Sequence, residues 1–150
     1  MDHVVYIDAK DGDLQKLLDG SKTMIIRGAA GRKLPYDRVH AGDRLYFVQN
    51  NGEAVARAAA DVRRVIQSAK LDEEQARGMV AEYQPLLQLT PAQEKRWSCK
   101  RYLVLIEIAP AQAIEPFAID RSAYGNMDDW LPVGDIAAIR VEAGPQAGTR

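Results

Sequence analysis

The chain has 150 residues, 47% hydrophobic and 27% charged, enough for one packed core and too apolar for wholesale disorder. Twenty Lys and Arg stand against 21 Asp and Glu, a formal charge of -1, which excludes holding nucleic acid by bulk charge alone. A single cysteine excludes an intramolecular disulfide and an all-cysteine zinc site.

The start, Met1-Asp2-His3, has neither a basic nor an apolar leader region, so no signal peptide is expected. The longest apolar run, Tyr102 to Ile106, is strand-sized and far short of the ~20 residues that cross a bilayer. The expectation is a soluble cytoplasmic protein without membrane contact. One α+β domain is expected over residues 1–142, with a disordered tail over 143–150.

In chain order, His3 to Asp8 is β-branched and aromatic and reads as a strand. Asp11-Gly12-Asp13 then offers an N-cap for a short helix with Leu14, Leu17 and Leu18 on one face, stopped by Gly20. Lys22 to Arg27 reads as a second strand, and Gly28 to Pro35 as a loop, since two glycines and a proline punctuate it. Asp43 to Val48 is a strand leading into a hairpin-type turn at Gln49-Asn50-Asn51-Gly52.

Glu53 to Ile66 supports two readings. Its alanines favour a helix with Val55, Ala59, Val62 and Ile66 on one face; Asn51-Gly52 favours an immediate antiparallel return. Local propensity alone tilts toward helix. Asp72 to Leu87 reads as an acidic helix with Ala76, Met79, Val80 and Tyr83 inward. Thr90-Pro91-Ala92-Gln93 is a capping box with Pro at the first helical position, opening a helix to about Trp97. From Arg101 to Ile108, Tyr102, Val104, Ile106 and Ile108 share one strand face, and Leu103, Leu105 and Glu107 the other. Tyr124 to Pro132 is turn-rich, and Ala137 to Val141 reads as a last strand.

The chemistry-bearing residues narrow the choices. His3, His40 and Cys99 are the only imidazoles and thiol, and none lies at ligand spacing to another, so neither metal nor other cofactor is expected. Adjacent Asp128 and Asp129 in a Gly-Asn turn are read as turn chemistry before metal ligands. Lys95, Arg96, Lys100 and Arg101 surround Cys99 without a catalytic motif, which favours a structural thiol. Gly28 to Lys33 lacks the spacing and the Ser or Thr of a nucleotide-hydrolase loop, but is a flexible basic loop able to meet a phosphate.

Charge is segregated along the chain. Gly20 to Gln49 carries six bases (Lys22, Arg27, Arg32, Lys33, Arg38, Arg44) and two acids. Leu71 to Glu94 carries five acids and one base. Lys95 to Tyr102 interleaves cations with Trp97 and Tyr102, a composition suited to phosphates beside stacked bases.

Gly20-Ser21-Lys22-Thr23-Met24-Ile25-Ile26-Arg27 resembles the G-x-K-x-x-(E or T)-x-R signature of ASCH domains, a branch of the PUA-like superfamily. Ala41-Gly42-Asp43 before an apolar strand, and the strand from Lys100 to Ile108, resemble further features of that superfamily. The resemblance spans roughly residues 4–140. It implies a PUA-like mixed β-barrel with flanking short helices, a cleft beside the first helix, and residues 53–66 as a long strand against their helical propensity. It also implies a partner such as RNA or a modified nucleoside or base; some small members of these families are nucleoside amidohydrolases or ribonucleases. The polar motif position is here Ile25, which neither donates nor accepts a proton.

Three readings follow. In the first, a basic cleft binds RNA or a modified base: Lys22, Arg27, Arg32 and Lys33 meet phosphate or base edge, Arg44 and Lys100 add charge, and Trp97, Tyr124 or Trp130 stacks. In the second, Lys22 is the catalytic residue of a small hydrolase acting on a modified nucleoside or RNA, aided by an acid from Glu53, Glu107 or the 72–87 helix. In the third, the acidic 72–94 segment docks a protein partner.

Overall fold

The computed structural model describes residues 1–125 and 128–141. The expected tail at 143–150 lies outside them. The elements are β1 (Asp2–Ile7), α1 (Asp13–Leu18), β2 (Met24–Ala29), β3 (Arg44–Gln49), β4 (Val55–Gln67), α2 (Glu73–Leu87), α3 (Pro91–Trp97), β5 (Tyr102–Ile108), β6 (Gln112–Ala118), β7 (Trp130–Gly134) and a short 3-10 turn at Ile136–Ala138. The fold is α+β. Seven strands form a mixed sheet in the order β2-β5-β4-β3-β1-β7, with β6 also paired to β4.

The ambiguous alanine segment is strand β4, as the resemblance implies and local propensity opposes. Two bulges explain how it serves three partners. One sits opposite Phe47/Val48 and the other between Val62 and Arg64. Each inserts one unpaired residue and rotates the strand. The first passes inward packing from Ala56, in one core cluster, to Ala58 and Ala60, in another. Beyond it one edge of β4 follows β3, while the other pairs first with β6 and then with β5.

The alternation of β5 is as its sequence predicts. Val104, Ile106 and Ile108 join the central cluster with Ile25, Phe47 and Trp130; Leu103 and Leu105 face a second cluster under α2 with Met24, Ala76 and Val80. The capping box of α3 forms, and Asp72 with Gln75 makes a second one at α2.

Four expectations about single elements are corrected. The helix α1 starts at a left-handed Gly12 with no side-chain cap, so Asp11 does not cap it. Gly28 and Ala29 continue β2 opposite Leu103 and Tyr102 instead of opening the loop. The turn-rich stretch contains β7, an edge strand beside β1, where Pro132 is tolerated because an edge leaves its missing N–H unrequired. The last strand expected at Ala137 to Val141 is replaced by the 3-10 turn, since the Asp135 carboxylate accepts from the Ala137 amide; only an Ile119–Arg140 bridge remains. Strand β6, unforeseen, is mostly exposed and carries Glu115 and Pro116, so no apolar alternation announced it.

The sheet is an open path. Among the described residues no ladder joins its ends, β2 and β7, where a barrel was expected. Instead Arg27 on β2 spans the gap: one guanidinium nitrogen donates to the Tyr6 carbonyl on β1, and Nε lies 3.3 Å from Asp129 beside β7. No helix among the described residues is long and apolar enough to cross a membrane.

Candidate functional site

The site is built where the chain doubles back after α1. Gly20, at φ +83°, allows the reversal, and the Lys22 amide donates to the Lys16 carbonyl at 3.0 Å. Thr23 is pinned in turn by its amide to the Leu86 carbonyl, 3.0 Å. This places the Lys22 side chain beneath the end of α2, only 3% exposed. Its Nζ donates to the Leu87 carbonyl at 2.5 Å, and Lys16 Nζ donates to the Gln88 carbonyl at 3.0 Å. Carbonyls at a helix C-terminus lack intrahelical partners and carry partial negative charge, and α2 has no basic residue in its own last turn. Two lysines from the α1 segment supply that charge.

Burial pushes the Lys22 ammonium down to about 8, opposed chiefly by Asp13, and more weakly by Asp8, and reinforced by Arg27 and Lys16. Asp13 opens α1 and is 5% exposed. One of its oxygens accepts from Gln93 Nε2 at 3.2 Å; the other is buried with no partner among the described residues. The same Gln93 amide donates to Asp8 at 2.8 Å, while its oxygen closes the capping box on the Thr90 amide at 2.9 Å. Asp8 also accepts from Asn50 at 3.1 Å and Arg96 at 3.3 Å. Burial opposes ionisation of Asp8, but the Gln93 and Arg96 donors win and hold its carboxyl below the usual range.

These groups surround a cavity of about 80 Å³ whose lining includes Tyr6, Asp13, Lys22, Arg27, Gln93 and Trp97. Asp8, Asp129 and Arg96 complete its charges, so three carboxylates face three cations. That balance suits a neutral ligand that exchanges hydrogen bonds, such as a base edge, better than a phosphate.

Of the residues predicted to form a site, the structure brings together Lys22, Arg27 and Trp97. Ile25 pairs with Ile106 in the sheet, 1% exposed within the central cluster, and also lines the cavity, so the motif's polar position is here an apolar part of its wall. Trp130 is also core: 1% exposed, its Nε1 donates to His3 Nδ1 at 3.0 Å, which puts the imidazole proton on Nε2 toward Asp43. A side chain so enclosed has no free face for a base, although the Arg27 guanidinium lies 5.8 Å from its ring. Tyr124 packs against the third core cluster. Arg44 pairs with Asp61 at 2.9 Å on β3, away from the cavity. Arg32 and Lys33 are exposed in the loop after β2, and Lys100 lies against Gly28.

The acids expected to enter the cleft are elsewhere. Glu53 pairs with Arg57 at 2.7 Å, Glu107 with Arg64 at 2.9 Å, and Glu73 of α2 with Arg77 at 2.7 Å. The carboxylates of the cavity are Asp8, Asp13 and Asp129, with Gln93 and Asn50, none of which sequence reasoning selected. One signal was available: a short helix followed by a glycine reversal returns residue 22 along the helix toward its first residue, Asp13. Gln93 carried only its capping signature.

No family model matches the sequence, and comparison with curated proteins finds no match. Solved structures do share the fold. The ASCH protein of Zymomonas mobilis is similar over 85% of this chain and 82% of its own, with TM-score 0.60 and 14% identity. A point variant of that protein gives TM-score 0.63, again at 14% identity, over 86% of this chain and 87% of that one.

Proposed function

We propose, from the ASCH fold that this chain carries, that the cavity beside α1 binds a single base, as a modified nucleoside or within RNA. The observation that carries the reading is the charge-balanced lining of the cavity, Lys22, Arg27 and Arg96 against Asp8, Asp13 and Asp129, with Gln93 among them. Hydrogen bonds made out of water discriminate strongly between ligands, because a mismatched group leaves a buried partner unpaired. Trp97 at the rim supplies an aromatic surface, with the Arg96 guanidinium 5.7 Å from its ring. Calorimetric titration with unmodified and modified nucleosides tests this. Binding by at least one, reduced about tenfold or more by Lys22→Ala or Arg27→Ala, is the expected result. A panel with no binder, or variants that bind as the parent does, would overturn it.

A second reading rests on the depressed Lys22 ammonium, about 8, which leaves a fraction as free amine near neutrality. Lys22 would then take a proton from water attacking an acyl carbon on a modified nucleoside. The C–N bond breaks, the amine leaves with that proton, and the carboxylic acid formed releases the remaining water proton to solvent as it becomes a carboxylate. Release of free amine from acylated nucleosides, abolished in Lys22→Ala, is the outcome this reading requires; turnover that survives the substitution removes it.

A further inference from the structure

The cavity has no surplus positive charge, so if its ligand belongs to a strand, the flanking phosphates need cations elsewhere. Those cations are grouped at one end of β2, β4 and β5. Arg32, Lys33, Lys70 and Arg101 are exposed and Lys100 is half-buried. None of the five lies within ion-pair distance of a carboxylate among the described residues. Hydrogen bonds to main-chain carbonyls hold their segments together. The Arg101 amide donates to the Ala29 carbonyl at 3.2 Å, the Leu71 amide to the Arg101 carbonyl at 2.7 Å, and Tyr36 Oη to the Ser68 carbonyl at 2.7 Å.

Aromatic rings sit among these charges. Tyr36 and Tyr102 meet edge to face at 5.9 Å, and the Arg32 guanidinium lies 5.6 Å from one ring and 5.7 Å from the other. An arginine plane supported on rings presents its outer face for a base to stack on. The bordering acids are already engaged: Asp37 with the Gln67 amide, and Asp72 in the capping box of α2. The chain itself ties this face to the cavity: the Lys100 amide donates at 3.2 Å to the carbonyl of Trp97, a cavity residue three positions earlier.

We infer that Arg32, Lys33, Lys70, Lys100 and Arg101, with Tyr36 and Tyr102, form a second binding face that holds the backbone of a single-stranded polynucleotide leading to the cavity. The inference rests on the proposed base-binding role of the cavity and adds that the base arrives within a strand. The small number of cations and the stacking surface favour single strands over duplex, whose rigid stacked bases offer no free faces.

The test is fluorescence anisotropy with a labelled oligouridylate across a salt series, for the parent chain and for the combined variant Arg32→Ala, Lys33→Ala, Arg101→Ala. Each phosphate contact on a single strand contributes about 0.7 to the slope of log affinity against log salt, so the variant is expected to flatten that slope by about 2. Affinity at low salt is expected to fall at least tenfold. Absence of strand binding at low salt, an unchanged slope in the variant, or equal affinity for a duplex or for heparin would each overturn the inference. Nucleoside titration of the parent reads the cavity separately: a nucleoside that binds where the strand does not leaves the base-binding role standing and removes this face.

Discussion

Lys22 departs furthest from ordinary surface behaviour, and its environment has a measurable consequence. Its folded ammonium titrates near 8 against an ordinary lysine's 10.5, so between those limits the unfolded chain binds more protons. The stability of the fold therefore rises with pH across that window, and below about 8 the charged form is held at a cost on the order of 3 kcal/mol. Denaturant midpoints measured between pH 7.5 and about 10.5 will show this rise in the parent chain, and the difference from Lys22→Met will shrink as pH increases. A pH-independent difference between the two proteins would mean that Lys22 is solvated. The partnerless oxygen of Asp13 belongs to the same account, since Asp13 is the carboxylate that most favours the charged lysine.

At the scale of elements, β2 and β5 are held closer than side chains allow. A Cβ built on Gly28 would lie 2.7 Å from a methyl of Leu103, 2.9 Å from the Tyr102 carbonyl oxygen and 3.1 Å from Lys100 Cβ. The carbonyl is backbone paired within the sheet and has no rotamer to escape into. Gly28→Ala is expected to destabilise by about 1–3 kcal/mol, read as a lowered denaturant midpoint with an unchanged slope. Midpoints within error of the parent would show that the two strands separate freely there. The same close approach seats Lys100 against β2, which is how the basic segment after α3 comes to lie beside the loop carrying Arg32.

Across the whole molecule, Arg27 does what a barrel-closing ladder would do. It donates to Ile26 and Tyr6 carbonyls, lies beside Asp129, and faces the Trp130 ring, linking β2 to β1 and to the segment entering β7. Hydrogen bonds from a charged donor contribute about 1.5–3 kcal/mol, so Arg27→Met should cost about that much. The loss should be local: amide exchange should accelerate in β2 and around residues 128–131 before it does in β3 and β4. Uniform acceleration would argue instead that Arg27 supports the core as a whole. Because Arg27 also lines the cavity, the gap between the sheet's ends and the candidate site are one place.

The sequence alone determined what repeats over a few residues. The period-two faces of β5, the caps of α2 and α3 and the reversal at Gly20 all depend on local chemistry that a short window displays, while Lys22 and Arg27 became site candidates through the resemblance of a short motif. The segregation of cations along the chain foreshadowed their clustering after β2. Tertiary structure decided the rest. β4 is a strand against its alanines because pairing with β3, β5 and β6 satisfies its backbone and two bulges aim its side chains. β7 exists because β1 offers it an edge. The partners of Lys22 could not be read from spacing, since Asp8, Asp13 and Gln93 converge from a strand end and two helices, while the expected glutamates were claimed by arginines near them. Burial, which turns an ordinary lysine into one titrating near 8, is a property of the assembled chain and of no segment of it.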